Sequence, residues 1–170
     1  KLWAIRLFFL IVFGMIESFW KIGDDRDKNF AEYNKICRRI FKQVGLECKV
    51  QGLENFPEEH CLVISNHISF FDIIVYLETM EKPVGFAYAS NLMKMPILRR
   101  CISAIGGVSI YTNTKKVKAT VNDISDYLSD GNLVVFPEGK CSYEMGEIKP
   151  FKRGCFTNLN AEETSILPVY

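Results

Sequence analysis

The chain has 170 residues, 48% of them apolar and 24% charged, which suits one globular domain with a substantial core. A formal net charge of +1 removes any global electrostatic case for nucleic acid as a partner. Six scattered cysteines without a C-x-x-C pair, two histidines (His60 and His67) and no H-E-x-x-H argue against a disulfide framework and against a metal site, and suggest reduced thiols in a cytoplasmic compartment.

The N-terminal "KLWAIRLFFLIVFGMIESFWK" is uncharged from Leu7 to Ile16. Ten helical residues rise about 15 Å, half of a hydrocarbon core. The favoured reading is a membrane-docking helix that enters one leaflet or lies in the interface, with Trp3, Phe19 and Trp20 at headgroup depth. The alternatives are a buried helix, or a signal peptide for which "ESFWK" offers no small-residue cleavage site. "KIGDDRDKN" (21–29) reads as a turn. In the following "FAEYNKICRRIFKQVG", Phe30, Tyr33, Cys37, Ile40, Phe41 and Val44 recur at helical spacing, with Gly45 as a stop. Lys35, Arg38, Arg39 and Lys42 form its polar face, which is either solvated or turned to anionic lipid.

Beyond residue 45 strand-like runs alternate with helical patterns. The runs are 48–52, 61–65, 84–89, 107–111, 133–137 and 165–170; the helical candidates are 70–80, roughly 91–104, 115–129 and 151–160. The alternation predicts an α/β fold, a largely parallel mixed sheet flanked by helices, with sites at the carboxyl ends of strands.

"SNHISFFD" (65–72) stands at such an end. Five residues of helix rotate by about 500°, so two side chains on one helix would sit about 140° apart and not meet. His67 and Asp72 meet only if His67 lies on the turn and Asp72 in the first helical turn. Ser69 then fits the N-cap with Asp72 at N3, a capping-box variant. Capping and catalysis are compatible, since a carboxylate accepts several hydrogen bonds and can also orient an imidazole as base. With no G-x-S-x-G present, a substrate hydroxyl would be the nucleophile. A thiol hydrolase pairing a cysteine with His67 is the weakest reading: Cys61 lies inside a strand and no cysteine is evidently activated. "VVFPEGKCS" is a second strand exit, where Gly139 lets backbone N–H groups approach a ligand, and Gly106-Gly107 in "IGGVSIYTN" invites close backbone approach.

Taken in order, Asn66-His67-x4-Asp72, Gly106-Gly107-Val108, Phe136-Pro137-Glu138-Gly139 and Leu167-Pro168-Val169 resemble the glycerolipid acyltransferase family, which includes the 1-acylglycerol-3-phosphate (lysophosphatidic acid) acyltransferases. "IKPFKRG" (148–154) is also similar to the family. The resemblance covers about residues 50–170 and implies a fold of the glycerol-3-phosphate acyltransferase type. On that basis residues 1–45 are a membrane-associated helical segment and 46–170 an acyltransferase domain expected to continue past Tyr170.

The resemblance implies transfer of an acyl group from acyl-CoA or acyl-acyl carrier protein to the hydroxyl of a membrane lysolipid, in phospholipid biosynthesis at the cytoplasmic face. No cofactor, metal or covalent intermediate is expected, because a thiolate leaves readily. His67 is the implied general base and Asp72 its orienting partner. Asn66, Ser69, Gly106, Gly107, Phe136, Pro137, Glu138, Gly139, Lys140, Lys152 and Arg153 are the implied substrate-binding set. Two positions depart from the family: Thr112 stands where the second block ends in arginine, and "FPEGKCS" replaces F-P-E-G-T-R-S with Lys140 and Cys141. Those arginines are the expected phosphate partners, and lysine does not copy their planar fork. Lys140, Lys149, Lys152 or Arg153 would supply charge instead. The favoured acceptor is 1-acyl-sn-glycerol-3-phosphate; a phosphate-free acceptor, or a catalytically silent membrane-binding module, are the alternatives.

Overall fold

The computed structural model describes residues 2–110, 117–142, 144, 146–157, 159 and 164–170. Two helices, α1 (Leu2–Lys21) and α2 (Arg26–Val44), come first. The turn between them is shorter than residues 21–29, because Asp25 caps α2 by accepting from the N–H groups of Asp27 and Lys28. Gly45 ends α2 in the left-handed region, φ 71°, as a stop residue should.

Five strands follow: β1 (Cys61–Ser65), β2 (Val84–Ala89), β3 (Gly107–Ile110), β4 (Asn132–Val135) and β5 (Ser165–Val169). They form one sheet in the order β3-β2-β4-β1-β5, and every described pairing is parallel. Helices α3 (Phe71–Thr79), α4 (Pro96–Ile105) and α5 (Val117–Leu128) make the crossovers. Residues 48–52 form no strand, against expectation. Cys48, Lys49, Val50 and Gln51 are exposed, and Gly52 turns the chain at φ 80°. Of the helix expected over 151–160, the described residues (151–157 and 159) form a short 3-10 turn, Arg153–Phe156, with Pro150 just before it and Gly154 inside it, while 158 and 160 lie outside the described residues.

A parallel sheet needs both faces covered, which is why its central strands read as continuous apolar runs. Cys61, Val63, Val84, Phe86, Val134 and Phe136 face α2, α3 and α4, packing on Phe30, Tyr33, Cys37, Tyr76, Leu77 and Ile105. Leu62, Leu133, Val135 and Val108 face the other way, onto Ile124 of α5 and Cys155. Buried Asn132 ties the strand starts together, accepting from the Cys61 N–H at 3.1 Å and donating to the Pro83 carbonyl at 3.0 Å. Helix α1 lies outside this sandwich. Leu7, Gly14 and Ser18 meet α2, where a Cβ on Gly14 would come within 2.7 Å of Ile36. Its outer face presents Phe8, Phe9, Phe13, Ile16 and Trp20 to solvent. Among the described residues α1 is the one helix long and apolar enough to cross a membrane, by length and composition.

Gly106 and Gly107 close α4 and open β3 at its amino end. Gly107, at φ 147°, pairs with Phe86, and a Cβ there would stand 2.2 Å from the Phe86 carbonyl oxygen. Gly107→Ala is therefore expected to lower stability by about 2–4 kcal/mol, read as a shifted urea midpoint with an unchanged slope.

Candidate functional site

In the sheet order β1 and β4 are neighbours, with Ile64 in register with Val135. Their exits, "SNH" and "FPEGKC", therefore leave side by side at the carboxyl end of the sheet, although some seventy residues separate them. Such an edge is where open α/β sheets hold ligands.

His67 sits on the turn after β1 and Asp72 in the first turn of α3. His67 Nδ1 is 2.8 Å from Asp72 Oδ2. The same oxygen accepts the backbone N–H groups of Ile68 at 2.8 Å and Ser69 at 3.1 Å, and Ser69 Oγ reaches Oδ1 at 3.4 Å. Phe70, not the expected Ser69, stands at the N-cap of α3, and Ser69 Oγ accepts the Phe71 N–H at 3.0 Å. Anchoring of the turn's backbone and imidazole orientation thus coexist on one carboxylate. Because Oδ2 is acting as an acceptor, Nδ1 is its donor, and Nε2 carries the lone pair. The imidazole stacks on Phe136, centroids 4.1 Å apart and planes at 16°, and Tyr76 braces Phe136 edge-on. The His67 and Asp72 side chains are 14% and 21% exposed, so the pair is shielded yet reachable.

Glu138 bridges the two strand exits. It is 2% exposed, and its two oxygens accept the backbone N–H groups of His67 at 2.7 Å and Lys149 at 2.9 Å. It fastens the two strand exits and the segment around Lys149 to one another. Pro137 accepts from the Lys152 N–H at 2.8 Å. Gly139 turns at φ 72°, and a Cβ there would meet Lys152 Nζ at 2.5 Å, so the ammonium lies against the glycine backbone. Lys149 Nζ donates to the Cys141 carbonyl at 3.1 Å. Lys140 and Arg153 are exposed nearby in sequence.

Asn66, with Ser65, Ile68 and Asp72, borders a cleft of about 700 Å³ whose walls include Leu53, Phe56, Val75, Tyr76, Met80 and Leu167. Gly106 and Gly107 are not brought to this end: they lie at the amino end of the edge strand β3 and serve the close approach of β2. Thr112 lies outside the described residues. One contact escaped the sequence reading. Cys141 Sγ is 3.1 Å from His67 Nε2, and only the order of the strands, not any local spacing, brings these residues together.

Comparison with known proteins points to one family. The Acyltransferase family model matches residues 47–170. The chain is 29% identical over 138 residues to 1-acyl-sn-glycerol-3-phosphate acyltransferase beta of Homo sapiens, covering 77% of this chain and 49% of that protein. Against the Saccharomyces cerevisiae 1-acyl-sn-glycerol-3-phosphate acyltransferase it is 29% identical, over 74% of this chain and 43% of the yeast protein. The crystal structure of the 1-acyl-sn-glycerophosphate acyltransferase PlsC of Thermotoga maritima superposes with a TM-score of 0.68 at 25% identity, covering 89% of this chain and 65% of that one. The chain thus spans half or less of the length of these two curated relatives.

The Glu138 contacts carry a stability consequence. Glu138→Ala leaves the N–H groups of His67 and Lys149 without their acceptor, and is expected to cost about 2–5 kcal/mol, measured by chemical denaturation.

Proposed function

We propose that this chain, which belongs to the acyltransferase family, moves a fatty acyl group from an acyl thioester to the free hydroxyl of a lysophospholipid. The observation that carries the reading is the oriented imidazole: Nδ1 held by Asp72, Nε2 turned to Cys141 at the junction of two strand exits. The imidazole removes the proton that the incoming oxygen must lose, and Asp72 keeps the ring in the tautomer that allows it. The leaving group is a thiolate, which needs no metal to depart. The apolar cleft beside Asp72 holds an acyl chain. The N–H groups of Lys140 and Cys141 have no partner among the described residues, follow the Gly139 turn, and are candidate donors to an oxyanion.

For the acceptor we favour 1-acyl-sn-glycerol-3-phosphate, the substrate in the names of the relatives. Lys152, folded against Gly139, and Lys149 supply positive charge next to the site. Acyl-CoA and acyl-acyl carrier protein both fit as donors. A phosphate-free acceptor is the second reading, favoured by Cys141, which stands in place of an arginine and brings no charge. Helix α1, with aromatic residues on its outer face and Arg6 and Lys21 exposed, rests on the cytoplasmic leaflet.

Three measurements test these statements. Vesicle-bound protein given acyl-CoA and a panel of lysolipids should release CoA and form the diacyl product, with the phosphate-bearing acceptor preferred; His67→Ala should abolish both, and persistent turnover would remove His67 from the chemistry. Asp72→Asn can still accept from Ile68 and Ser69, so it should keep its fold while turnover falls about a thousandfold or more. The triple change Phe8→Ser, Phe9→Ser, Phe13→Ser should reduce co-flotation with anionic vesicles roughly tenfold or more, without disturbing the core.

A further inference from the structure

A transfer in one step leaves the thiol beside the base without a task. Cys141 Sγ lies 3.1 Å from His67 Nε2, the nitrogen that carries the lone pair, so the thiol S–H donates into it. An acceptor hydroxyl waiting to be deprotonated would have to stand where Sγ stands. The placement is built rather than incidental. The Ser142 N–H is anchored on the His67 carbonyl at 2.8 Å and Lys149 Nζ on the Cys141 carbonyl at 3.1 Å, so both polar groups of the peptide unit that follows the sulfur-bearing residue are held. Sulfur, imidazole and carboxylate form one continuous chain, Cys141 to His67 to Asp72. The thiols of Cys37 and Cys61 are instead buried in the core, where burial pushes them up to about 12 and about 11. Among the described residues Cys141 is the thiol an imidazole reaches.

We infer that Cys141 is the first nucleophile of the reaction, and that the acyl group passes through a thioester on Cys141 Sγ before it reaches the lipid. The inference rests on the transfer proposed above and adds a step to it. In the first half, Nε2 takes the Cys141 proton as Sγ attacks the donor carbonyl; the carbon–sulfur bond to CoA breaks, and the departing sulfur takes the proton back from Nε2. In the second half, Nε2 takes the proton of the lysolipid hydroxyl as its oxygen attacks the Cys141 thioester, and Sγ leaves with that proton. The two halves sum to ester formation and free CoA. The exchange of one thioester for another is close to neutral in energy, so the intermediate costs little to form.

The experiment uses the full chain in phospholipid vesicles with palmitoyl-CoA and no acceptor. Intact mass should rise by one acyl group, released by neutral hydroxylamine and mapped to Cys141. After removal of palmitoyl-CoA, adding 1-acyl-sn-glycerol-3-phosphate should discharge the label into diacyl product. Exposed Cys48 reports uncatalysed acylation in the same sample. Cys141 should be acylated about a hundredfold faster, an advantage lost in His67→Ala. Cys141→Ser and Cys141→Ala should both lose transfer by about a hundredfold or more while retaining the wild-type urea midpoint. Equal labelling of Cys48 and Cys141, a Cys141 label that acceptor does not discharge, or wild-type transfer by Cys141→Ala would each overturn the inference. The last result leaves the His67-dependent transfer standing. Loss of transfer to every acceptor, with an acyl-Cys141 that only water discharges, would overturn the transfer itself and with it the second half-reaction.

Discussion

One buried carboxylate holds the site together. Parallel strands β1 and β4 run about 4.8 Å apart, so their exits emerge close but unconnected. Glu138 bridges them, taking the His67 N–H with one oxygen and the Lys149 N–H with the other. With His67 fixed at its backbone, its ring settles on Phe136, and the following residues turn so that Asp72 collects Ile68, Ser69 and the imidazole on one oxygen. With Lys149 fixed, its ammonium reaches the Cys141 carbonyl, and the Lys152 N–H closes on Pro137. A water-filled gap in place of Glu138 would release three segments at once. This is why both oxygens of the motif's carboxylate are committed to backbone N–H groups.

The layers explain why α1 is left exposed. The sheet is already covered by α2, α3 and α4 on one face and α5 on the other. The remaining surface for α1 is the outer side of α2, and a helix can bury only one stripe there: Leu7, Gly14 and Ser18, with Leu10 and Ile11 partly covered. The opposite stripe is aromatic at Phe8, Phe9, Phe13, Phe19 and Trp20. A contiguous apolar surface of this kind is foreign to a water-facing helix and natural to one in contact with lipid. Arg100 reaches over Phe19 at 4.2 Å and donates to its carbonyl at 2.9 Å, linking that end of α1 to α4 and hence to the sheet.

Much of this was legible in the chain itself, for physical reasons that differ by element. Residues 61–65 and 84–89 read as strands because parallel strands buried on both faces must be apolar throughout. The His67–Asp72 pair was readable because helix geometry leaves one way for residues five apart to meet at a strand-to-helix turn. "CKVQG" misled because its composition suits a strand, yet residues 48–51 are exposed and the segment pairs with none of the five strands. "FKRGCFTNLN" misled because Gly154 and the preceding Pro150 undercut a helical spacing. The Gly-Gly pair signalled close approach correctly, but the partner is the Phe86 backbone and not a ligand at the far end of the sheet. The contact between Cys141 and His67 had no local signal, since it depends on β4 being inserted beside β1.

The substitution at position 141 alters charge and chemistry together. The family's arginine at that position would set a guanidinium close to Nε2, and two positive charges a few ångströms apart repel by several kcal/mol where water is scarce. The imidazole gains positive charge each time it takes a proton, so a neutral neighbour eases that step. In this chain cationic groups arrive from the 149–152 segment instead: Lys149 Nζ is held on a backbone oxygen and Lys152 Nζ lies against Gly139. Positive charge is thereby moved off the side chain at position 141. That leaves the position free for a sulfur, the one side-chain atom there that both donates to the base and is a competent nucleophile toward a thioester.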